Sequence, residues 1–221
     1  MNYLAISFVL ILLSGGSYAQ DPWKDIYKES AWEQRDTWQR ANDIIGKLNI
    51  KQGSKVADIG CHEGYFTLKL AKVVGTEGKV YAVDVSSDKI EKPKKHLEER
   101  NVSNVNVIVG EENNPHLPTL TLDAVLIVDT YHEMDEHHAI LQAIKKALKP
   151  KGKLVICEPI SEGRKNVSRE NQERKHELGM NYALEDLKQT GFKILSQEES
   201  FVDRLKEKGD KMWVIVCEKS N

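Results

Sequence analysis

The chain has 221 residues, 40% of them apolar, with 32 basic and 34 acidic side chains and a formal charge of -2. That length and apolar share support one well-buried core rather than two domains, and the balanced charge excludes a global basic field able to hold a nucleic-acid backbone. The cysteines Cys61, Cys157 and Cys217 are too few and too scattered for a disulfide-stapled scaffold; they read as buried thiols, with Cys157 and Cys217 on adjacent strands the one pair open to a bridge.

In chain order, Leu4 to Leu13 is almost continuously apolar and is followed by Ser17-Tyr18-Ala19. This reads as a signal peptide over residues 1–19, cut after Ala19, although no Lys or Arg precedes the apolar run. About ten apolar residues are too few to span a bilayer, which takes roughly 20. The expectation is an exported protein, periplasmic or extracellular, with no integral membrane segment in its mature chain. Residues 20–50 carry Trp23, Ile26, Trp32, Trp38, Ile44, Ile45 and Leu48 among many charges, the mixture of an N-terminal helical cap on a main domain over residues 51–221.

Within that domain short apolar runs alternate with amphipathic stretches. Strands are expected at Val56–Ile59, Val80–Val83, Val105–Val109, Ala124–Val128 and Leu154–Cys157, with helices at Tyr65–Val74, Ser86–Arg100 and about Asp135–Leu148. Each run is β-rich and without alternation, as strands buried on both faces require. Beyond Pro159 the chain turns polar and irregular to Gly179; a helix at Tyr182–Thr190 and strands at Phe192–Leu195 and Met212–Cys217 follow, joined through Asp203–Asp210. The expected architecture is a doubly wound α/β sheet, mostly parallel and seven-stranded, with an antiparallel final strand and its ligand crevice at the carboxyl ends of the first strands.

A strand ending in Asp58, a turn with Gly60 and Gly64, and a helix start at Tyr65 are the parts of a nucleotide-binding turn. The dinucleotide fingerprint fails, because His62 and Tyr65 stand where its second and third glycines belong, and no Gly-Lys-Ser/Thr follows for a phosphate-binding P-loop. The segment Val56-Ala57-Asp58-Ile59-Gly60-Cys61-His62-Glu63-Gly64 resembles the first motif of class I S-adenosylmethionine-dependent methyltransferases. Val80-Tyr81-Ala82-Val83-Asp84 resembles their second, and Gly64 and Asp84 are 20 positions apart. Val109-Gly110-Glu111, Asp123–Asp129 and Lys149–Leu154 resemble the third, fourth and fifth segments, so the likeness runs from about Arg35 to Cys217.

The resemblance implies a Rossmann-like domain with S-adenosyl-L-methionine as methyl donor and Asp58, Gly60, Cys61, Gly64, Asp84, Val85, Glu111 and Asp129 as its contacts. Asp84 would accept the ribose hydroxyls and Asp58 would face the amino-acid end. Arg35, Trp38 and Gln39 would either line the pocket or pack as core. His62 departs from the family's usual glycine: its side chain points away from the ligand or replaces a contact.

Methyl transfer from a sulfonium is an in-line displacement that needs alignment, desolvation and, for a weakly acidic acceptor, a base. The ionisable run after the fourth strand offers His132 as general base and Tyr131 to orient the acceptor; the alternative is a polar loop in which Asp135 caps the next helix. His132 and His137 lack the His-Glu-x-x-His spacing that places two imidazoles on one helical face, so no metal is expected from them. The reading is a methyltransferase acting on a small-molecule acceptor, with no nucleic-acid partner. The alternative is an exported binding protein that keeps the fold without methyl transfer.

Overall fold

The computed structural model describes residues 27–220; the expected signal peptide and the start of the helical cap lie outside them. Seven strands form one sheet: β1 (Lys55–Ile59), β2 (Lys79–Asp84), β3 (Val105–Val109), β4 (Leu122–Val128), β5 (Leu148–Ile160), β6 (Phe192–Arg204) and β7 (Asp210–Lys219). Their order is β3-β2-β1-β4-β5-β7-β6. The pairs β1/β2, β2/β3, β1/β4 and β4/β5 are parallel, and β7 runs antiparallel to both β5 and β6. The order reverses between β1 and β4, which opens a crevice above their carboxyl ends.

Unbroken apolar runs follow from burial on both faces. Within β1, Val56 packs on one side of the sheet with Ile44, Ile45, Leu70 and Val74, from α2 (Ala41–Lys47) and α3 (Tyr65–Val74). Ala57 packs on the other with Ile140, Leu141 and Ile144 of α5 (His137–Ala147) and Leu187 of α7 (Met180–Gln189). A fully buried Leu or Ile contributes roughly 1.5–3 kcal/mol, so these two layers, more than any ion pair, hold the sheet. The remaining helices are α1 (Trp32–Trp38), α4 (Ser87–Glu99), which follows β2, and α6 (Arg169–Glu173), which lies inside the segment read as irregular. Among the described residues no helix is long and apolar enough to cross a membrane.

Two strands differ from expectation. β6 reaches Arg204 rather than Leu195, because as the sheet edge it leaves Ser196 to Ser200 exposed and so needs no apolar run. β5 begins at Leu148: the turn at Lys149–Gly152 is an excursion between the pairs Leu122↔Leu148 and Ala124↔Lys153, not a break in the strand. The β5/β7 register sets Cys157 opposite Val214 and Cys217 opposite Leu154, so the two thiols are not facing, and all three cysteines are free and buried.

Candidate functional site

The turn after β1 places three of the expected contacts, Gly60, Cys61 and Gly64. Gly60 has φ 76° and a Cβ added there would lie 2.2 Å from Thr130 Cγ2, so only glycine lets this loop close on the end of β4. Gly64, at φ 90°, is the residue from which α3 starts. The amides of Gly60 and Cys61 both donate to Val83 O, tying the loop to β2. Burial raises the Cys61 thiol pKa well above its ordinary value, which leaves it an inert wall group. His62 holds φ 47°, a left-handed backbone that costs an L-residue about 1–2 kcal/mol. Its amide donates to Asp84 Oδ2 at 3.2 Å, while its ring lies edge-on to Tyr27.

At the end of β2, Asp84 is buried and accepts one backbone amide on each oxygen, from His62 and from Ser86 (3.1 Å). A carboxylate has about four acceptor positions, so capacity for a vicinal diol remains. The next residue, Val85, is 58% exposed though apolar, a surface suited to a flat ring. Asp58 is 3% exposed and accepts Thr67 Oγ1 at 2.6 Å; burial raises its pKa to about 6.

Asp58, Gly60, Cys61, His62, Asp84 and Val85 line one cavity of about 830 Å³, which also takes in Arg35, Glu111, Asp129, His132, Glu133 and His176. That volume is within the range of small-molecule sites, roughly 300–1,000 Å³. Its N-terminal wall is tied down where the Glu29 amide donates to Glu63 of the loop (2.9 Å) and Tyr27 Oη donates to Asp129 (2.5 Å). Arg35 lies over the Tyr65 ring at 4.1 Å. Trp38 and Gln39 are core instead: Trp38 packs on the α2/α3 layer, and Gln39, fully buried, donates to Met212 Sδ. Gly64 and Tyr131 are not among the lining residues either.

The acceptor side differs from its sequence reading. Tyr131 is fully buried and its hydroxyl donates to Asp186 at 2.9 Å, so it supports the loop from beneath. His132 lines the cavity but is gripped by two carboxylates, Glu158 Oε2 on Nδ1 (2.6 Å) and Glu133 Oε1 near Nε2 (3.3 Å). Burial alone would lower its pKa; the charge and hydrogen bond of Glu158, joined by Glu133 and Asp129, together outweigh it and push the value up to about 10. In this arrangement His132 is protonated at neutral pH, a donor rather than the expected base. Asp135 does not cap α5, whose N-cap is Glu136 with no side-chain bond. His137 is half-buried against the Tyr131 ring, while its neighbour His138 is exposed.

Three groups went unseen in the sequence. Glu158, fully buried at the end of β5, accepts the amides of Thr130, Tyr131 and His132 and so shapes the whole loop. It was discoverable, being a strand-end carboxylate like Asp58 and Asp84. Arg204 and Asp210 gave no such signal. Arg204 is fully buried, paired bidentately with Asp210 (2.8 and 3.0 Å), and reaches Asp129 Oδ2 at 2.6 Å. Burial would raise the Asp129 pKa, but that guanidinium, together with Lys208, His132 and the Tyr27 hydroxyl, holds it far below the usual carboxylate range.

Residues 50–212 match the family model described as "Methyltransferase domain". Demethylmenaquinone methyltransferases are among the relatives: one of Geobacillus sp. is 30% identical over 52% of this chain and 50% of its own length, and one of Staphylococcus saprophyticus is 29% identical over 58% and 53%. The chain thus spans about half the length of these curated relatives. A SAM-dependent methyltransferase from Aquifex aeolicus superposes with TM-score 0.72 at 22% identity, over 89% of this chain and 96% of that one. Phosphoethanolamine N-methyltransferase 2 of Haemonchus contortus, solved with S-adenosyl-L-methionine, does so with TM-score 0.68 at 15% identity, over 90% and 59%. With a strand-end carboxylate, a glycine turn and a second carboxylate 20 residues on, all opening into one cavity, and a family match over most of the sheet, the chain belongs to the class I S-adenosylmethionine-dependent methyltransferases.

Proposed function

We propose that this chain transfers the methyl group of S-adenosylmethionine to a small-molecule acceptor held at the outer end of the cavity. The observation that carries this reading is the continuity of one cavity, from Asp58 and Asp84 to the loop His132–Asp135 and the segment holding Arg164 and His176. Asp84 receives the ribose hydroxyls on its free acceptor positions, Val85 packs on the adenine, and Asp58 faces the ligand's ammonium. Arg35 supplies positive charge near the ligand's carboxylate.

In the transfer the donor's S–CH3 bond breaks as the bond from methyl to acceptor forms, and the sulfonium becomes a neutral thioether. Alignment of donor and acceptor in one cavity lowers that barrier. His132, held protonated by Glu158, donates a hydrogen bond to an acceptor oxygen and orients it, and the proton that the acceptor sheds on methylation leaves to solvent. The demethylmenaquinone relatives support a ring-bearing acceptor of menaquinone type. The apolar leader supports export, which the mass of the chain in separated cell fractions tests.

Calorimetric titration with S-adenosylhomocysteine is the direct test. Saturable binding is expected in the folded wild-type chain, and Asp84→Ala weakens it by about 1.5–3 kcal/mol, the worth of hydrogen bonds to a charged group. No binding at millimolar ligand overturns the reading.

A further inference from the structure

Beside the cavity's acceptor end, two imidazoles and a carboxylate converge. His132 Nε2 lies 3.3 Å from Glu133 Oε1, and His176 Nδ1 lies 2.5 Å from the same oxygen. The three ligand atoms fall within 4.8 Å of one another, and all three residues line the cavity. We propose that His132, Glu133 and His176 form a binding site for one divalent first-row transition ion, of which Zn²⁺ is the type.

Three features support an ion here over a pair of surface salt bridges. Donor atoms held about 2.0–2.1 Å from a tetrahedral zinc stand roughly 3.4 Å apart, which the His132–Glu133 spacing already meets; His176 needs to open by about 1 Å on that geometry. The donor set, two imidazoles and one carboxylate, is what zinc and its neighbours in the series prefer. Most telling, Glu158 sits behind His132 on Nδ1 at 2.6 Å. A buried carboxylate on the far nitrogen of a ligating histidine fixes the tautomer that leaves Nε2 free for a metal.

Binding displaces the proton from His132 Nε2 to solvent, and in the metal-bound state the ion takes over from that N–H both its place beside Glu133 and the orienting of the acceptor oxygen. The local spacing of His132 and His137 excludes a site built from one helix. The second imidazole comes from the segment before α7, where nothing in the sequence marks it. A further cluster, Glu29, His96 and Glu99, also converges among the described residues. It is less suited, because the Arg100 guanidinium already occupies Glu29, and it serves as the internal control.

The test is equilibrium dialysis of the tag-free full chain against Zn²⁺, with cobalt absorption as a second readout. One zinc per chain is expected, with a tetrahedral cobalt spectrum on substitution. His176 is 65% exposed, so His176→Ala preserves the fold while weakening zinc by more than the roughly 10–100-fold lost with an outer partner such as Glu158→Gln. Glu99→Gln leaves binding unchanged. Substoichiometric zinc, or one zinc whose affinity is indifferent to His176→Ala, or zinc lost with Glu99→Gln, each overturns the site. Titration with S-adenosylhomocysteine in His176→Ala is expected to match the wild type, so failure of the metal site is distinguishable from failure of the methyl-donor site.

Discussion

Asp58, the residue before the end of β1, has its carboxylate buried, and its pKa is raised to about 6. In the unfolded chain it ionises near pH 3.9, so between about pH 4 and 6 the folded protein holds a proton that the unfolded one does not. Stability on this account is full below pH 4 and is lost as pH rises through 6. At 1.36 kcal/mol per unit the loss is about 3 kcal/mol at neutral pH. Asp58→Asn keeps an acceptor for Thr67 and removes the charge. Urea denaturation is therefore expected to find it more stable than wild type by about 1–3 kcal/mol at pH 7.5 and little different at pH 4; an equal difference at both values would refute the burial argument. A ligand ammonium that meets Asp58 needs it ionised, so S-adenosylhomocysteine affinity falls by at most tenfold per unit below pH 6 in the wild type and stays flat in Asp58→Asn. Asp58 and Asp84 were legible because a carboxylate closing an apolar strand is visible in sequence. The left-handed backbone of His62 was not, since a missing glycine shows only that the residue differs, not how its φ accommodates it.

The β6/β7 hairpin was the least legible element, for a physical reason. An edge strand buries little of its length, so Ser196 to Ser200 carries polar side chains and imitates a loop. What fixes its far end is ionic: Arg204, the last residue of β6, bridges Asp210 at the start of β7 and Asp129 after β4, with all three side chains buried. Removing one partner of a buried ion pair leaves uncompensated charge and costs about 3–5 kcal/mol. Arg204→Met leaves two carboxylates in that state. Its urea midpoint is expected to drop by that amount of stability with the slope unchanged, and a loss under about 1 kcal/mol would show that water reaches the cluster instead. Charges from three separate elements made this triad invisible to any local pattern, whereas the parallel strands β1, β2 and β4 declared themselves by unbroken apolar runs.

At the scale of the whole molecule, the strand order was readable because alternating strands and helices with right-handed crossovers leave few topologies. The cavity's composition was not, because its walls are drawn from Tyr27, Arg35, the segment 164–177 and Asp210, which only folding brings to the crevice. That convergence makes ligand binding a global event. A ligand at about 100 times its Kd adds about 2.7 kcal/mol, and for a chain of this size each kcal/mol raises Tm by roughly 2–4 °C. S-adenosylhomocysteine is therefore expected to raise the melting temperature by roughly 5–10 °C. The N-terminal wall is pinned to the glycine loop through Glu29 and Glu63 and to the end of β4 through Tyr27 and Asp129. Amide exchange in residues 27–39 should consequently slow together with that in residues 58–64, while the exposed edge at residues 195–200 keeps its rate. A thermal shift without protection of residues 27–39 would mean that the ligand is held by the sheet alone, with the N-terminal wall only packed beside it.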